Sequence, residues 1–114
     1  MSVDLLKNMG VKIPYKAKYD NFIGGKWVAP VSGEYFDVIT PITGKPYTKA
    51  PRSGAADVEL ALDAAHKAAD AWGRTAPVER AGILLKIADR IEANLETIAT
   101  AETIDNGKPI REKI

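Results

Sequence analysis

The chain has 114 residues and a mass of 12.3 kDa, a single-domain length at which roughly two-thirds of the surface exposed by an unfolded chain can be buried. Hydrophobic residues make up 46% and charged residues 27%, and 16 basic against 15 acidic side chains leave a formal net charge of +1; this excludes a disordered composition and the broad positive field that nucleic-acid phosphates require. With no cysteine, disulfide frames, thiolate metal sites and a thiol nucleophile are excluded as well.

Residues 1–19 carry no sustained period and are dotted with Lys7, Lys12, Lys16 and Lys18; they read as a surface arm, with a short helix over residues 3–9. Asp4 and Lys7 leave no room there for the apolar core of a secretory signal, so a cytoplasmic location is expected. No stretch nears the ~20 apolar residues of a membrane-spanning helix, and no membrane partner is expected. Next, Asn21-Phe22-Ile23-Gly24-Gly25-Lys26-Trp27-Val28 sets a Gly-Gly pair between apolar arms, the signature of a tight hairpin whose turn needs positive φ. After a break at residues 30–33, residues 34–39 form a strand candidate by aromatic and β-branched content. Thr40-Pro41-Ile42-Thr43-Gly44 turns the chain, and residues 45–50 return as a partner strand in which Pro46 predicts an edge position.

The period then changes from two to 3.6. From Ser53, read as an N-cap, Val58, Ala61, Leu62, Ala65, Ala69 and Trp72 form one helical stripe while Glu59, Asp63, Lys67 and Asp70 fill the opposite face; the helix is expected to stop near Gly73. Alanine dominates the stripe, so its partner must approach closely, and Trp72 supplies most of the area at one end. A second helix starts at Thr75-Ala76-Pro77, with Glu79 at the positive end of its dipole and a stripe of Leu84, Ile87, Ala88, Ile91 and Leu95. A pause near Asn94 leads to a third helical stretch through Ile98, Ala101 and Ile104, capped by Asn106-Gly107. Pro109 opens a fourth pattern, Ile110-Arg111-Glu112-Lys113-Ile114, which reads as an unfinished helix.

Three ordered blocks carry a family resemblance. Phe22-Ile23-Gly24-Gly25-Lys26-Trp27-Val28 is the first, and Phe36-Asp37-Val38-Ile39-Thr40-Pro41-Ile42-Thr43-Gly44 the second. The helical region is the third, from Ala64-Ala65-His66-Lys67-Ala68-Ala69-Asp70-Ala71-Trp72 through Val78-Glu79-Arg80-Ala81 and Ile87-Ala88-Asp89-Arg90-Ile91-Glu92 to Glu102-Thr103-Ile104-Asp105-Asn106-Gly107-Lys108-Pro109. In this order and spacing they resemble the opening segment of NAD(P)-dependent aldehyde dehydrogenases, closest to bacterial acetaldehyde-type members. The resemblance implies an α/β parent with a Rossmann-type nucleotide domain. Here it covers an α+β segment, β-hairpins followed by three or four helices, with residues 1–19 as an arm and residues 20–114 as the N-terminal part of the nucleotide-binding domain, truncated at 114.

For the whole parent the resemblance implies oxidation of a small aldehyde to a carboxylic acid. A cysteine thiolate attacks the carbonyl, the adduct gives hydride to NAD or NADP, and a glutamate-activated water releases the acid. The family's nucleotide loop, glutamate, oxyanion asparagine and cysteine lie beyond residue 114, so no catalytic or cofactor-binding residue is assigned in this chain. It is expected to be inactive alone and structural in role, its partner being the remainder of a homo-oligomeric dehydrogenase. One family feature does fall within the chain. A structural Na+ or K+ is implied at the backbone carbonyls of Val38 and Ile39 and the carboxylate of Asp105, oxygen donors suited to a hard cation. A further carbonyl would come from the rest of the parent, so weak or absent ion binding is expected of the chain alone.

On the residues themselves, Asp105-Asn106-Gly107 is a helix-ending turn, a role compatible with the ion. His66 falls on the polar side of the first helix with no titratable partner placed beside it, and Lys26 and Arg52 read as solvated cations. Gly24-Gly25 lacks the G-x-G-x-x-G frame of a phosphate cradle. The alternative reading, from a different functional class, is a free-standing α+β protein-interaction module derived from the same family. Under the leading reading the helices' apolar stripes are expected to be only partly covered.

Overall fold

The computed structural model describes residue 10 and residues 12–112; the helix expected over residues 3–9 lies outside them. Strands β1 (Asn21–Ile23) and β2 (Lys26–Val28) form the first hairpin. Asn21 faces Val28, Phe22 faces Trp27 and Ile23 faces Lys26, and Gly24 and Gly25 supply φ of 59° and 80°, the left-handed pair that a two-residue turn demands. The Phe22 and Trp27 rings meet edge to face at 5.1 Å.

The second hairpin joins β3 (Tyr35–Thr40) to β4 (Lys45–Pro51) antiparallel. Its register breaks between Val38 and Ile39: Val38 faces Thr48 but Ile39 faces Pro46, leaving Tyr47 as the extra residue on β4. Proline has no N–H to give to the opposite strand, so a bulge beside it costs the ladder little. The other edge of β4 is occupied. The Tyr19 N–H donates to the Lys49 carbonyl at 3.0 Å, and the Lys49 N–H donates to Ala17 at 3.1 Å. Part of the expected arm is thus tied to the sheet, a pairing that Ala17-Lys18-Tyr19, too short to show a period, could not announce.

Helix α1 (Ala55–Arg74) differs from the sequence reading at its first cap. Its N-cap is Gly54, not Ser53; the Ser53 hydroxyl instead donates to Asn21 Oδ1 at 2.9 Å, and Asp57 supplies the carboxylate that meets the Gly54 N–H at 2.9 Å. The helix's far end falls beside Gly73, as expected: Arg74 is the last helical residue, and the Thr75 N–H donates to the Trp72 carbonyl at 3.1 Å. A single glycine costs only about 1 kcal/mol in a helix, and Arg74 pairs with Asp70 one turn back. Helix α2 (Pro77–Ala93) begins with proline in its first turn, and Asn94 both ends it and opens α3 (Leu95–Asn106). Gly107, with φ of 75°, caps α3 and donates to the Thr103 carbonyl at 2.8 Å. After Pro109, residues Ile110–Glu112 form a 3-10 turn where the sequence pattern suggested an α-helix.

Small side chains make the core. Among the described residues Ala99 is 2% exposed and Ile104 5%, with Thr40 and Asp57 at 4% each. The close neighbour on α1 is met outside the expected stripe, at Ala64, whose Cβ would lie 3.9 Å from a Cβ placed on Gly24. The expected stripe itself is open, with Val58, Leu62 and Trp72 about half exposed. The radius of gyration is 17.6 Å, with extents of 49 × 37 × 18 Å, against about 13 Å for a compact domain of this length.

Candidate functional site

The end of α3 is fastened to the β3–β4 hairpin by three contacts. Thr40, the last residue of β3, donates its hydroxyl to the Ile104 carbonyl, one of the carbonyls that a helix C-terminus leaves without an internal partner. Tyr47, the bulge residue, donates its hydroxyl to Asp105 Oδ1 at 2.6 Å. Gly107 lies against Pro41 so closely that a Cβ on it would sit 3.2 Å from Pro41 Cγ. The left-handed turn at Gly107 thus does two things: it ends α3, and it lets the backbone pass the proline of the hairpin turn.

A groove of about 450 Å³ runs beside this clamp, lined by Tyr15, Tyr19, Tyr47, Ile98, Glu102 and Asp105 among others. The rings of Tyr15 and Tyr47 meet edge to face at 4.8 Å. Burial raises the Tyr47 hydroxyl well above the ordinary tyrosine range, helped by its bond to Asp105 and that group's negative charge. Burial also raises Tyr15, whose hydroxyl oxygen is enclosed without a hydrogen-bond partner.

A second node joins the first hairpin to α1. Asp57 accepts from the Gly54 N–H at 2.9 Å, from the Val31 N–H at 2.9 Å and from the Asn21 side chain at 3.5 Å. Those N–H donors, Gly54 first, hold its carboxyl below the ordinary range against the opposing effect of burial. One carboxylate therefore caps a helix and pins the loop leaving β2.

Of the residues singled out in the sequence, Val38 and Ile39 lie on β3 opposite the bulge of β4, and Asp105 is drawn to the same hairpin through Tyr47. Pro46, opposite Ile39, cannot donate to it, and a bulge leaves ladder groups unpaired. No three His, Cys, Asp or Glu side chains gather as a metal cage among the described residues. His66 and Lys26 are exposed, and Arg52 lies 5.3 Å from the centre of the Phe36 ring. Thr40, Tyr47 and Asp57 went unread in the sequence. A carboxylate three residues after a helix's first cap was a signal for Asp57; Tyr47 had none, because its partner lies 58 residues away.

The sequence profile of the aldehyde dehydrogenase family matches residues 27–114. Acetaldehyde dehydrogenase 2 of Cupriavidus necator is 61% identical over 112 residues, which are 98% of this chain and 22% of that protein. The structure of an NAD-dependent aldehyde dehydrogenase from Sinorhizobium meliloti superposes with a TM-score of 0.80 at 36% identity, over 89% of this chain and 21% of that one. Indole-3-acetaldehyde dehydrogenase complexed with NAD+ gives 0.81 at 38% identity, over 87% and 20%. The chain spans about a fifth of the length of these proteins, and its hairpins and helices are an α+β piece of their fold. By the extent of the profile match and the agreement of both sequence and structure, the chain belongs to the aldehyde dehydrogenase family.

Proposed function

We propose that the chain is the N-terminal scaffold of a bacterial, cytoplasmic, homo-oligomeric aldehyde dehydrogenase that oxidises a small aldehyde to its acid with NAD or NADP. The observation that carries the reading is the clamp: the motif most characteristic of the family, Glu102 to Pro109, is docked on the second hairpin through Thr40, Tyr47 and Pro41. The nicotinamide cofactor supplies the hydride acceptor when bound to the parent. Residues 20–114 hold a framework for the domain that binds it, and residues 17–19 lie along the edge of β4.

The same reading gives the strand end a structural Na+ or K+, held by the Val38 and Ile39 carbonyls and the Asp105 carboxylate and completed by the rest of the parent. With no cysteine, the chain alone has no thiolate with which to attack an aldehyde. The test is a covalent chimera in which this chain replaces the 112 matched residues of the Cupriavidus necator enzyme. Acetaldehyde-dependent formation of NADH near the parent's rate is expected; a folded, soluble chimera without turnover overturns the reading.

A further inference from the structure

Asn106 and Gly107 are a chemically labile pair held in a protective geometry. In an asparagine–glycine pair the glycine nitrogen, with no neighbouring side chain to shield it, attacks the asparagine side-chain carbonyl carbon. A C–N bond forms, the amide nitrogen leaves as ammonia, and water opens the resulting succinimide to aspartate or isoaspartate. Ring closure needs a glycine nitrogen free to lose its proton and an asparagine backbone turned out of the helical region. Neither condition is met here. Asn106 is the last residue of α3 and keeps helical dihedrals, and the Gly107 N–H is given to the Thr103 carbonyl at 2.8 Å. The side chain is held as well: Asn106 Oδ1 accepts from the Lys108 N–H at 2.9 Å, and its amide donates to Glu102 Oε1 at 3.5 Å.

The clamp keeps this end of α3 in place. Thr40 holds the Ile104 carbonyl, Tyr47 holds Asp105, and Pro41 lies against Gly107, so the anchored residues flank Asn106 on both sides. We infer that Asn106 is a spontaneous deamidation site gated by the clamp: slow while α3 is docked on the hairpin, and released when the end of α3 lifts. Its isoaspartyl product makes the opening permanent. Isoaspartate carries the main chain through its own side chain, adding a methylene before Gly107, so Gly107 can no longer meet Thr103 and Pro41 in register. Either product also sets a new carboxylate beside Asp105 and one turn from Glu102, at the helix end where the macrodipole disfavours negative charge.

Deamidation is followed in this chain at neutral pH by mass spectrometry of the fragment bearing residue 106, beside a synthetic peptide of residues 103–110, too short to hold a helix. The native chain should react at least about tenfold more slowly than the peptide. Tyr47→Phe and Thr40→Val, each removing one clamp hydrogen bond, should speed the reaction about fivefold, the shift in an opening equilibrium that one such bond provides. Asp57→Asn is the control, because it loosens the junction of the first hairpin with α1 and leaves the clamp's contacts intact; its rate should match that of the native chain. A native chain as fast as the peptide, clamp variants no faster than native, or an Asp57→Asn chain accelerated as much as they are would overturn the gating. The isoaspartyl chain, separated by ion exchange, should unfold at lower urea than Asn106→Asp, which brings the charge without the methylene. Equal midpoints would overturn the permanent opening.

Discussion

Replacing Gly107 with alanine probes the clamp at its tightest point, and the cost separates into two parts. Gly107 has φ of 75°, a left-handed conformation that costs a residue with a Cβ about 1 kcal/mol. The new Cβ would also sit 3.2 Å from Pro41 Cγ, so the hairpin turn or the helix end must give by a few tenths of an ångström, adding about 1 kcal/mol. Gly44 is the control: its φ is 67° but nothing lies within 4 Å of its Cβ position. Gly44→Ala should therefore cost about 1 kcal/mol and Gly107→Ala about 2 kcal/mol. Urea titrations followed by far-UV circular dichroism, compared at a common slope, give the difference. In a Pro41→Ala background the Gly107→Ala cost should fall to that of Gly44→Ala. Equal costs for the two glycines in the parent chain, or a Gly107→Ala cost indifferent to Pro41, would refute the reasoning.

Tyr47→Phe removes the 2.6 Å bond to Asp105 and should cost about 1 kcal/mol in the same titration; no loss would mean that the bond is not maintained in solution. The tyrosines also set an alkaline limit. The folded state holds the Tyr15, Tyr35 and Tyr47 hydroxyls above their ordinary value of 10.0, so the stability they lend is complete below pH 10 and is lost as pH rises beyond it. Phenolate absorbance should lag behind that of the urea-unfolded chain above pH 10, and Tyr47→Phe should remove the last-titrating hydroxyl. Asp57 acts in the opposite direction: its carboxyl is held below 3.8, so its contribution is present above that value and is lost as pH falls below it. Asp57→Asn should lower the urea midpoint at pH 7 and flatten its decline in acid; an unchanged acid limb would assign that decline to other carboxylates. For the ion, calorimetry of the isolated chain with potassium should register no binding. The covalent chimera should gain thermal stability from potassium and lose that gain on Asp105→Asn; tight binding by the isolated chain would contradict an ion site completed by the rest of the parent.

Local geometry was legible in the sequence wherever one residue type answers one backbone demand. Gly24-Gly25, Gly44 and Gly107 mark turns because few other residues accept positive φ, and Pro77 marks a helix start because its missing N–H is not needed there. The cap of α1 was misplaced by one residue because the side chain that satisfies Gly54 belongs to Asp57, reaching back from inside the helix. The strand-like attachment of residues 17–19 was hidden because backbone groups make it, through Lys49, and no side-chain period records that. Of the clamp, Asp105 and Gly107 were visible as a helix end, whereas Thr40 and Tyr47 became meaningful only once the fold carried them to residues 64 and 58 positions away. Of the apolar stripes, Ile104 of α3 is buried as read, but Ala99 of the same helix and Asp57 and Ala64 of α1 were outside the stripes named; that so much of α2 stays open is a property of what surrounds a helix, and a helix's own period carries no record of its neighbours.

The central claim is that this chain is a segment of a much longer dehydrogenase. Its most direct test is the mass of the gene product in extract of the cells that make it, probed with an antibody raised against residues 20–114. A band several times heavier than 12.3 kDa, carrying aldehyde-dependent NAD reduction when immunoprecipitated, is the predicted result. A single band at 12.3 kDa with no heavier species would contradict it.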